Sequence, residues 1–181
     1  MSHKKSGTYW ATLITAFLKT VSKVEELDCV DSAVLVDVSK IITLTQEFRR
    51  HYDSVYRADY GPALKNWKRD LSKLFTSLFV DVINSGRIVG FFDVGRYVCE
   101  EVLCPGSWTE DHELLNDCMT HFFIENNLMN HFPLEDIFLA QRKFQTTGFT
   151  FLLHALAKVL PRIYSGNVIY VPEFQHTGGR Y

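Results

Sequence analysis

The feature that most constrains the fold is a run of apolar residues from position 88 to position 98. On a helical wheel this run is apolar on every side, and only Asp93 and Arg96 interrupt it. A helix without a polar face is typical of an element that is packed on all sides inside a domain. The sequence therefore predicts a central buried helix over about residues 86–103.

The residues just before this run predict how the central helix begins. Asn84 or Ser85 can act as the N-cap, and Gly86 allows another backbone to approach closely. Arg87 falls in the first turn, where a fixed cation is unfavourable with respect to the helix dipole. We expect Arg87 to be exposed at this helix start and to pair with an anionic group elsewhere.

Composition agrees with a single globular domain and excludes some classes of function. The chain has 181 residues, of which 46% are apolar and 22% charged, with a formal net charge of -2. This length allows one sizeable core, and the charge gives no basic surface for nucleic acid. The cysteines show no CxxC pairing, which favours reduced thiols in an intracellular protein. We predict one domain over residues 1–171, followed over 172–181 by a flexible tail or by residues left from expression.

The remaining apolar residues recur at helical spacing along most of the chain. They predict helices over residues 8–24, from Asp31 or Ser32 to about 59, from the Gly61-Pro62 break to 79, over 109–126, around 137–144 and over 149–160. The apolar side of the helix over 109–126 is predicted to comprise Leu114, Cys118, Met119, Phe122 and Phe123. The last helix is too short to span a membrane, which takes about 20 apolar residues. The predicted fold class is all-α, with no stable membrane span.

The start of the central helix also carries a family resemblance. Residues 78–92 read Leu-Phe-Val-Asp-Val-Ile-Asn-Ser-Gly-Arg-Ile-Val-Gly-Phe-Phe. This segment resembles the first homology region of the Bcl-2 family of apoptosis regulators, Leu-Phe-x-Asp-Gly-x-Asn-Trp-Gly-Arg-Ile-Val-x-Phe-Phe. The match continues through Gly95 and residues 100–102, whereas Ser85 replaces the family's tryptophan and Val82 its glycine. Taken whole, the chain resembles viral members of this family of the gammaherpesvirus type, most closely that of a rodent gammaherpesvirus.

This resemblance implies a Bcl-2-type helical bundle in which a hydrophobic groove lies on the surface. One wall of the groove would be a stripe of partly exposed aromatics at helical spacing, and Leu74 and Leu78 would form its floor. A purely structural place in the core is the alternative for such a stripe, and it is the commoner one. By resemblance, the partner-binding groove comprises Phe48, Tyr52, Val55, Tyr56, Tyr60, Leu74, Leu78, Asn84, Ser85, Gly86 and Arg87.

The function that the resemblance implies is capture of an amphipathic helix from another protein. The expected partners are the homology-3 helices of the pro-death proteins Bim, Bak and Bax, and of the autophagy protein Beclin, with no cofactor. Arg87 would pair with the invariant aspartate of such a helix, and Asn84 would form a hydrogen bond near it. The protein would thereby inhibit apoptosis and autophagy in the host cell cytoplasm, with association to mitochondrial or endoplasmic reticulum membranes left open. Basic residues beside the groove would attract an acidic partner, although a solvated face without a role in binding is the commoner alternative for such a run; they are Lys65, Lys68, Arg69 and Lys73.

Two other functions were weighed against helix capture. An enzyme needs a nucleophile with a base, or a metal cluster. Cys104, His112 and Glu113 are close in sequence but have no activating motif, and the pair of Asp117 and His121 lacks further metal ligands. We therefore expect no enzyme. A membrane-active pore former would use apolar central helices, and the buried helix leaves that alternative open.

The chain is not expected to donate a homology-3 helix of its own. The family motif Leu-x-x-x-Gly-Asp aligns with residues 41–46, where Thr45 replaces glycine and Gln46 replaces aspartate. A β-branched residue hinders the close approach of two helices, and a neutral amide cannot form the ion pair. Burial of the same segment inside this fold would give the same result.

Overall fold

The regular secondary structure is entirely helical within residues 5–24, 27, 30–55, 64–80 and 82–143, which this computed structural model describes, with the backbone alone for 51–55 and 140–143. In chain order the helices are α1 (Gly7–Val21), α2 (Ser32–Val55), α3 (Trp67–Leu78), α4 (Ser85–Tyr97), α5 (Glu110–Glu125) and α6 (Leu134–Lys143). A π-helical turn, Val98–Val102, extends α4, and a 3-10 turn, Leu128–His131, joins α5 to α6. The all-α prediction is therefore confirmed. The predicted helix over 149–160 and the tail over 172–181 lie outside the described residues.

Helix α4 is the central element, as the apolar run predicts. Residues 86–95 are all buried. The ring of Phe91 lies 4.5 Å from that of Phe75 in α3, and the ring of Phe92 lies 5.3 Å from that of Phe17 in α1. On the α5 side, the ring of Phe123 lies 5.8 Å from that of Phe92. These contacts on three sides explain why the sequence of α4 has no polar face.

Side-chain caps fix where the first two helices begin. Ser6 caps α1, since its hydroxyl oxygen accepts a hydrogen bond from the amide of Tyr9 at 3.2 Å. Asp31 caps α2, because its carboxylate accepts from the amide of Ala33 at 2.8 Å. Of the two caps that the sequence offers for α2, Asp31 is therefore the one in use.

The end of the central helix differs from the prediction of one helix to about residue 103. The α-helix ends at Tyr97, and in the π-helical turn that follows the amide of Leu103 donates to the carbonyl of Val98 at 2.9 Å. Within this turn Glu100 accepts hydrogen bonds from Arg96 and from Arg49 of α2. An apolar wheel does not distinguish an i→i+5 register from an i→i+4 register, so the sequence could not show this change.

The buried face of α5 is rotated by one residue from the predicted one. His112, Leu115, Met119 and Phe123 are buried, whereas Leu114 is 43% exposed and Cys118 is exposed. The prediction was wrong for Leu114 and Cys118. Two apolar stripes run side by side along α5, and the packing of Phe123 against α1 and α4 selects the one that is buried.

The cysteines agree with the expectation of free thiols within the described residues. Cys99 is buried in the π-helical turn, and Cys104 and Cys118 are exposed and free. Burial raises the pKa of the Cys99 thiol to about 11, so this thiol is protonated and unreactive near neutral pH. Cys99 therefore acts as a packing residue.

Candidate functional site

The candidate site is built on the first turn of α4. Asn84 is the N-cap, with extended backbone angles, and its side-chain oxygen accepts a hydrogen bond from the amide of Arg87 at 3.0 Å. Of the two caps that the sequence offers, Asn84 is the one used. The cap fixes the backbone from which the Arg87 side chain leaves the helix.

Arg87 is buried, which overturns the expectation that it is exposed at the helix start. Only 6% of the residue is exposed, and its Nη1 donates to the carbonyl of Val82 at 2.9 Å. The guanidinium folds back towards the segment before the helix, and Gly86, Arg87 and Ile88 of the first turn of α4 are buried. Its Nε is buried without a hydrogen-bond partner among the described residues. Arg87 is thus a buried cation with at least one N–H donor that no described group accepts.

Ser85 and Gly86 complete the first turn. The hydroxyl of Ser85 donates to the carbonyl of His131 at 3.3 Å, which ties the start of α4 to the 3-10 turn before α6. Gly86 is buried. Val80 and Val82, just before the cap, are exposed large apolar residues, at 66% and 54%. An apolar surface therefore adjoins the buried guanidinium.

The predicted groove residues on α2 and α3 are only partly described. Leu74 and Leu78 of α3 are buried, as a groove floor requires. Phe48 of α2 is 4% exposed, so the expectation of a partly exposed aromatic is wrong at this position. Tyr52 and Val55 lie on the last turns of α2, where the backbone alone is described, and residues 56 and 60 lie outside the described residues. The structure brings Asn84, Ser85, Gly86 and Arg87 together, and the rest of the groove stays a prediction.

Four charged side chains, the α2–α4 ion cluster, join the two helices, and sequence reasoning missed this arrangement. The cluster comprises Arg49, Asp93, Arg96 and Glu100. Nη2 of Arg49 lies 3.3 Å from Oδ1 of the fully buried Asp93, and Arg49 also pairs with Glu100. Nε of Arg96 donates to Glu100 at 2.8 Å, and its Nη1 donates to the Thr45 hydroxyl at 3.3 Å. An aspartate inside an apolar helix was the available signal, since buried charges are normally paired.

Two of the candidates for catalysis or metal binding, His112 and Glu113, make structural contacts. His112 is buried, and its Nδ1 accepts from the amide of Thr109 at 3.2 Å in the capping box that starts α5. Glu113 accepts from the indole of Trp108, and Cys104 is exposed. Within the described residues no three His, Cys, Asp or Glu side chains are grouped so that they could hold a metal ion.

No helix among the described residues is both long enough and apolar enough to cross a bilayer.

Comparison with protein families bears directly on this site. A family model described as apoptosis regulator M11, B cell 2 leukaemia/lymphoma like, matches residues 8–133. The match covers most of the chain, from α1 through the turn that follows α5. It includes the whole first turn of α4 and every other predicted groove residue.

Proposed function

The chain belongs to the family of Bcl-2-like apoptosis regulators as a viral homologue, and on that premise we propose that it inhibits apoptosis by capturing homology-3 helices. The captured helices are those of pro-apoptotic proteins such as Bim, Bak and Bax. They enter a groove bounded by the end of α2, by α3 and by the first turn of α4. The activity consists of occupancy without chemical turnover, in the cytoplasm of the host cell.

The observation that carries this proposal is the buried guanidinium of Arg87. Its Nε has no partner within the described part of the chain, and Nη1 is held by one carbonyl. A buried charged group that lacks an opposite charge is costly, and a carboxylate supplied by a partner removes that cost. The aspartate of a homology-3 helix is such a carboxylate. Asn84 fixes the backbone of Arg87 and so orients the guanidinium before the ligand arrives.

The apolar surroundings support a helix as the ligand. An amphipathic helix carries apolar side chains at i, i+4, i+7 and i+11, which need an apolar surface next to the ion pair. Leu74 and Leu78 supply buried apolar floor, and exposed Val80 and Val82 adjoin the cation. Among the residues that the sequence places in the groove, none on α3 is charged.

We extend the proposal to Beclin and hence to inhibition of autophagy. Beclin carries a helix with the same apolar spacing and the same aspartate, so it would use the same groove and the same Arg87. The two kinds of partner would then compete. This extension and the gammaherpesvirus type rest on the motif in residues 78–92.

The test is charge reversal at Arg87. Arg87→Glu should weaken binding of a Bim homology-3 peptide in calorimetry by about 30-fold or more, because breaking a desolvated charge pair costs about 2–5 kcal/mol. Burial of Arg87 implies some loss of stability too, about 1 kcal/mol for the unsatisfied Val82 carbonyl. Circular dichroism should still show a cooperative helical fold. Lys23→Glu, an exposed reversal in the turn after α1, is the matched control. Unchanged affinity of Arg87→Glu would remove Arg87 from the site.

A further inference from the structure

A cavity separate from the predicted groove lies between α1, α2 and the chain that joins α5 to α6. Its volume is about 720 Å³. Trp10, Phe132 and Leu134 line its apolar side, and Asp37, Glu135 and Asp136 line its acidic side. None of the eleven predicted groove residues is among its lining residues. The cavity therefore offers a second surface with both apolar and anionic character.

One end of the cavity holds a cation that belongs to the chain itself. The Lys5 ammonium lies 4.5 Å from the ring centroid of Tyr9 and 6.0 Å from that of Trp10. It also pairs with the carboxylate of Asp37 and donates to the Tyr9 hydroxyl at 3.1 Å. Two aromatic faces and a carboxylate around one ammonium form a cation subsite, because ring faces and anions both attract positive charge.

The subsite does not depend on Lys5 for its construction. Asp37 is 6% exposed and also accepts hydrogen bonds from the Tyr9 hydroxyl at 2.6 Å and from Lys40 at 3.2 Å. Burial alone would raise the pKa of Asp37, but the hydrogen bonds from Lys5, Tyr9 and Lys40 lower it, so the carboxylate is ionised when an ammonium occupies the subsite. The ring of Trp10 is held against Phe123 at 5.0 Å. Groups other than Lys5 thus preorganise the site.

Lys5 itself is replaceable. Its side chain is 39% exposed, against 8% for Asp37, and it precedes the first residue of α1. Without Lys5, three carboxylates line the cavity, and Lys40 is the cation that contacts Asp37 and Glu135. The vacated site would carry excess negative charge beside an apolar wall. The ligand that fits the vacated site is a positively charged side chain with apolar side chains next to it.

We propose that this cavity is a second peptide-binding site, which takes a lysine with apolar neighbours from another protein, and that Lys5 occupies its cation subsite in the free protein. The incoming ammonium displaces that of Lys5 from the Tyr9 and Trp10 rings and from Asp37. Its apolar neighbours pack on Phe132 and Leu134, and the acidic rim of Glu135 and Asp136 favours its approach. The site is independent of homology-3 capture.

The experiment uses the full chain and two fluorescent probe peptides, acetyl-Leu-Ala-Lys-Ala-Leu and the same peptide with norleucine in place of lysine. Lys5→Ala should bind the lysine probe about two- to fivefold more tightly than the unsubstituted protein, because the internal competitor is gone. Lys5→Arg keeps a cation in the subsite and should restore the weaker affinity. In the Lys5→Ala background the norleucine probe should bind about two- to fivefold more weakly than the lysine probe.

The rim provides a variant that does not threaten the fold. Glu135→Gln with Asp136→Asn changes two exposed residues and should weaken the lysine probe while leaving the norleucine probe unaffected. Equal affinity of the two probes for Lys5→Ala, or no binding of either at millimolar concentration, would overturn the proposal. So would displacement of the probe by a Bim peptide, since that places the probe in the groove. Binding should survive Arg87→Glu, so failure here is distinguishable from failure of the proposed function.

Discussion

The arginines at the two ends of the central helix α4 differ in how fully their donors are paired. At its start Arg87 donates to one backbone carbonyl and keeps a buried Nε without a partner among the described residues. Near its end Arg96 pairs with Glu100 at 2.8 Å, and Arg49 reaches Asp93 and Glu100 from α2. Cations with matched acids hold two helices together, whereas a cation with donors to spare is available to an acid from outside.

Because of this difference, residues that serve partner binding and residues that serve stability lie at different ends of one helix. Changes at the start of α4 should affect partner affinity more than folding, and changes from Asp93 onward should affect folding more than affinity. The comparison fails if both ends respond in the same way. The variants at Asp93 and Gly95 below test the later part of α4, and the Arg87→Ala cycle tests its start.

The largest effect is expected from removing one acid of the α2–α4 ion cluster. Asp93→Ala should lower the free energy of unfolding by about 3–5 kcal/mol, because it leaves Arg49 facing a buried site without its carboxylate. Urea denaturation measures this loss, and calorimetry on the remaining folded protein should give an unchanged affinity for a Bim peptide.

A paired variant shows whether charge or packing is responsible for that loss. Replacing both partners with apolar residues, Arg49→Met with Asp93→Leu, should recover most of the stability, since a buried pair exchanged for apolar groups is often neutral. If the double variant is as unstable as Asp93→Ala, the cluster is not the reason that Asp93 is needed.

A smaller loss is expected two residues further along the same helix. A Cβ at Gly95 would overlap Sδ and Cε of the buried Met119 side chain in α5, which is flexible and can shift in part, so Gly95→Ala should cost about 1 kcal/mol through overpacking. Met119→Ala with Gly95→Ala should be less unstable than the two separate losses added together. Strict additivity in thermal or urea unfolding would show that this contact does not cause the loss. Bim affinity should again be unchanged.

The exposed basic residues on α3 and in the turn just before it should affect the rate of binding and leave stability unchanged. Lys65 and Lys73 are exposed, so Lys65→Glu with Lys73→Glu should slow association of an acidic homology-3 peptide by about three- to tenfold at low salt. Stopped-flow fluorescence at low and high salt measures this rate. A decrease that persists at high salt would mean that these residues act through contact and not through long-range attraction.

The smallest effect concerns pH and lies outside α4. Burial lowers the pKa of His112 below its usual value of 6.5, although Asp111 and Glu113 act in the opposite direction. The neutral ring caps α5 through the Thr109 amide, so its contribution to stability is complete above pH 6.5 and is lost as the pH falls below that value.

Urea unfolding measured between about pH 7.5 and about pH 5.5 tests whether stability falls with pH as predicted for His112. His112→Asn should reduce the change in the free energy of unfolding with pH. His121→Asn, an exposed substitution on the same helix, should leave that change as it is in the unsubstituted protein. If the His112→Asn variant keeps the full pH dependence of stability, groups other than His112 cause that dependence.

The central helix could be predicted from the sequence because the pattern that indicates it lies within consecutive residues. A run without a polar face and an Asn cap fix the place and the start of α4, and both predictions are confirmed. The burial of Arg87 was not predictable, since the wheel shows which side chains are apolar but not how the preceding segment covers the first turn. The dipole argument made Arg87 look exposed and in need of an anion; the exposure was wrong, and the anionic partner stays a prediction.

Contacts distant in sequence were the part that could not be derived. Asp93 signals a buried partner, but nothing in the sequence near Arg49 identifies it as that partner across the fold. The capping box of α5 uses His112, where acidic residues would be the usual choice, because His112 occupies the third helical position after Thr109. In the segment of residues 41–46, Ile41, Leu44 and Thr45 are buried and Gln46 is exposed, and Thr45 accepts from Arg96. Burial therefore covers part of the segment, and its inability to act as a donor stays a prediction.

The most direct test of the account is a double-mutant cycle between Arg87→Ala and an Asp→Ala substitution in a Bim homology-3 peptide, measured by calorimetry. The account predicts a coupling energy of at least about 1.5 kcal/mol, as for close charge pairs across interfaces. The same cycle with Arg96→Ala should give a coupling within about 0.5 kcal/mol of zero, because Arg96 is already paired inside the protein. A coupling near zero for Arg87, or an equal one for Arg96, would contradict the assignment of the spare buried cation to the partner's aspartate.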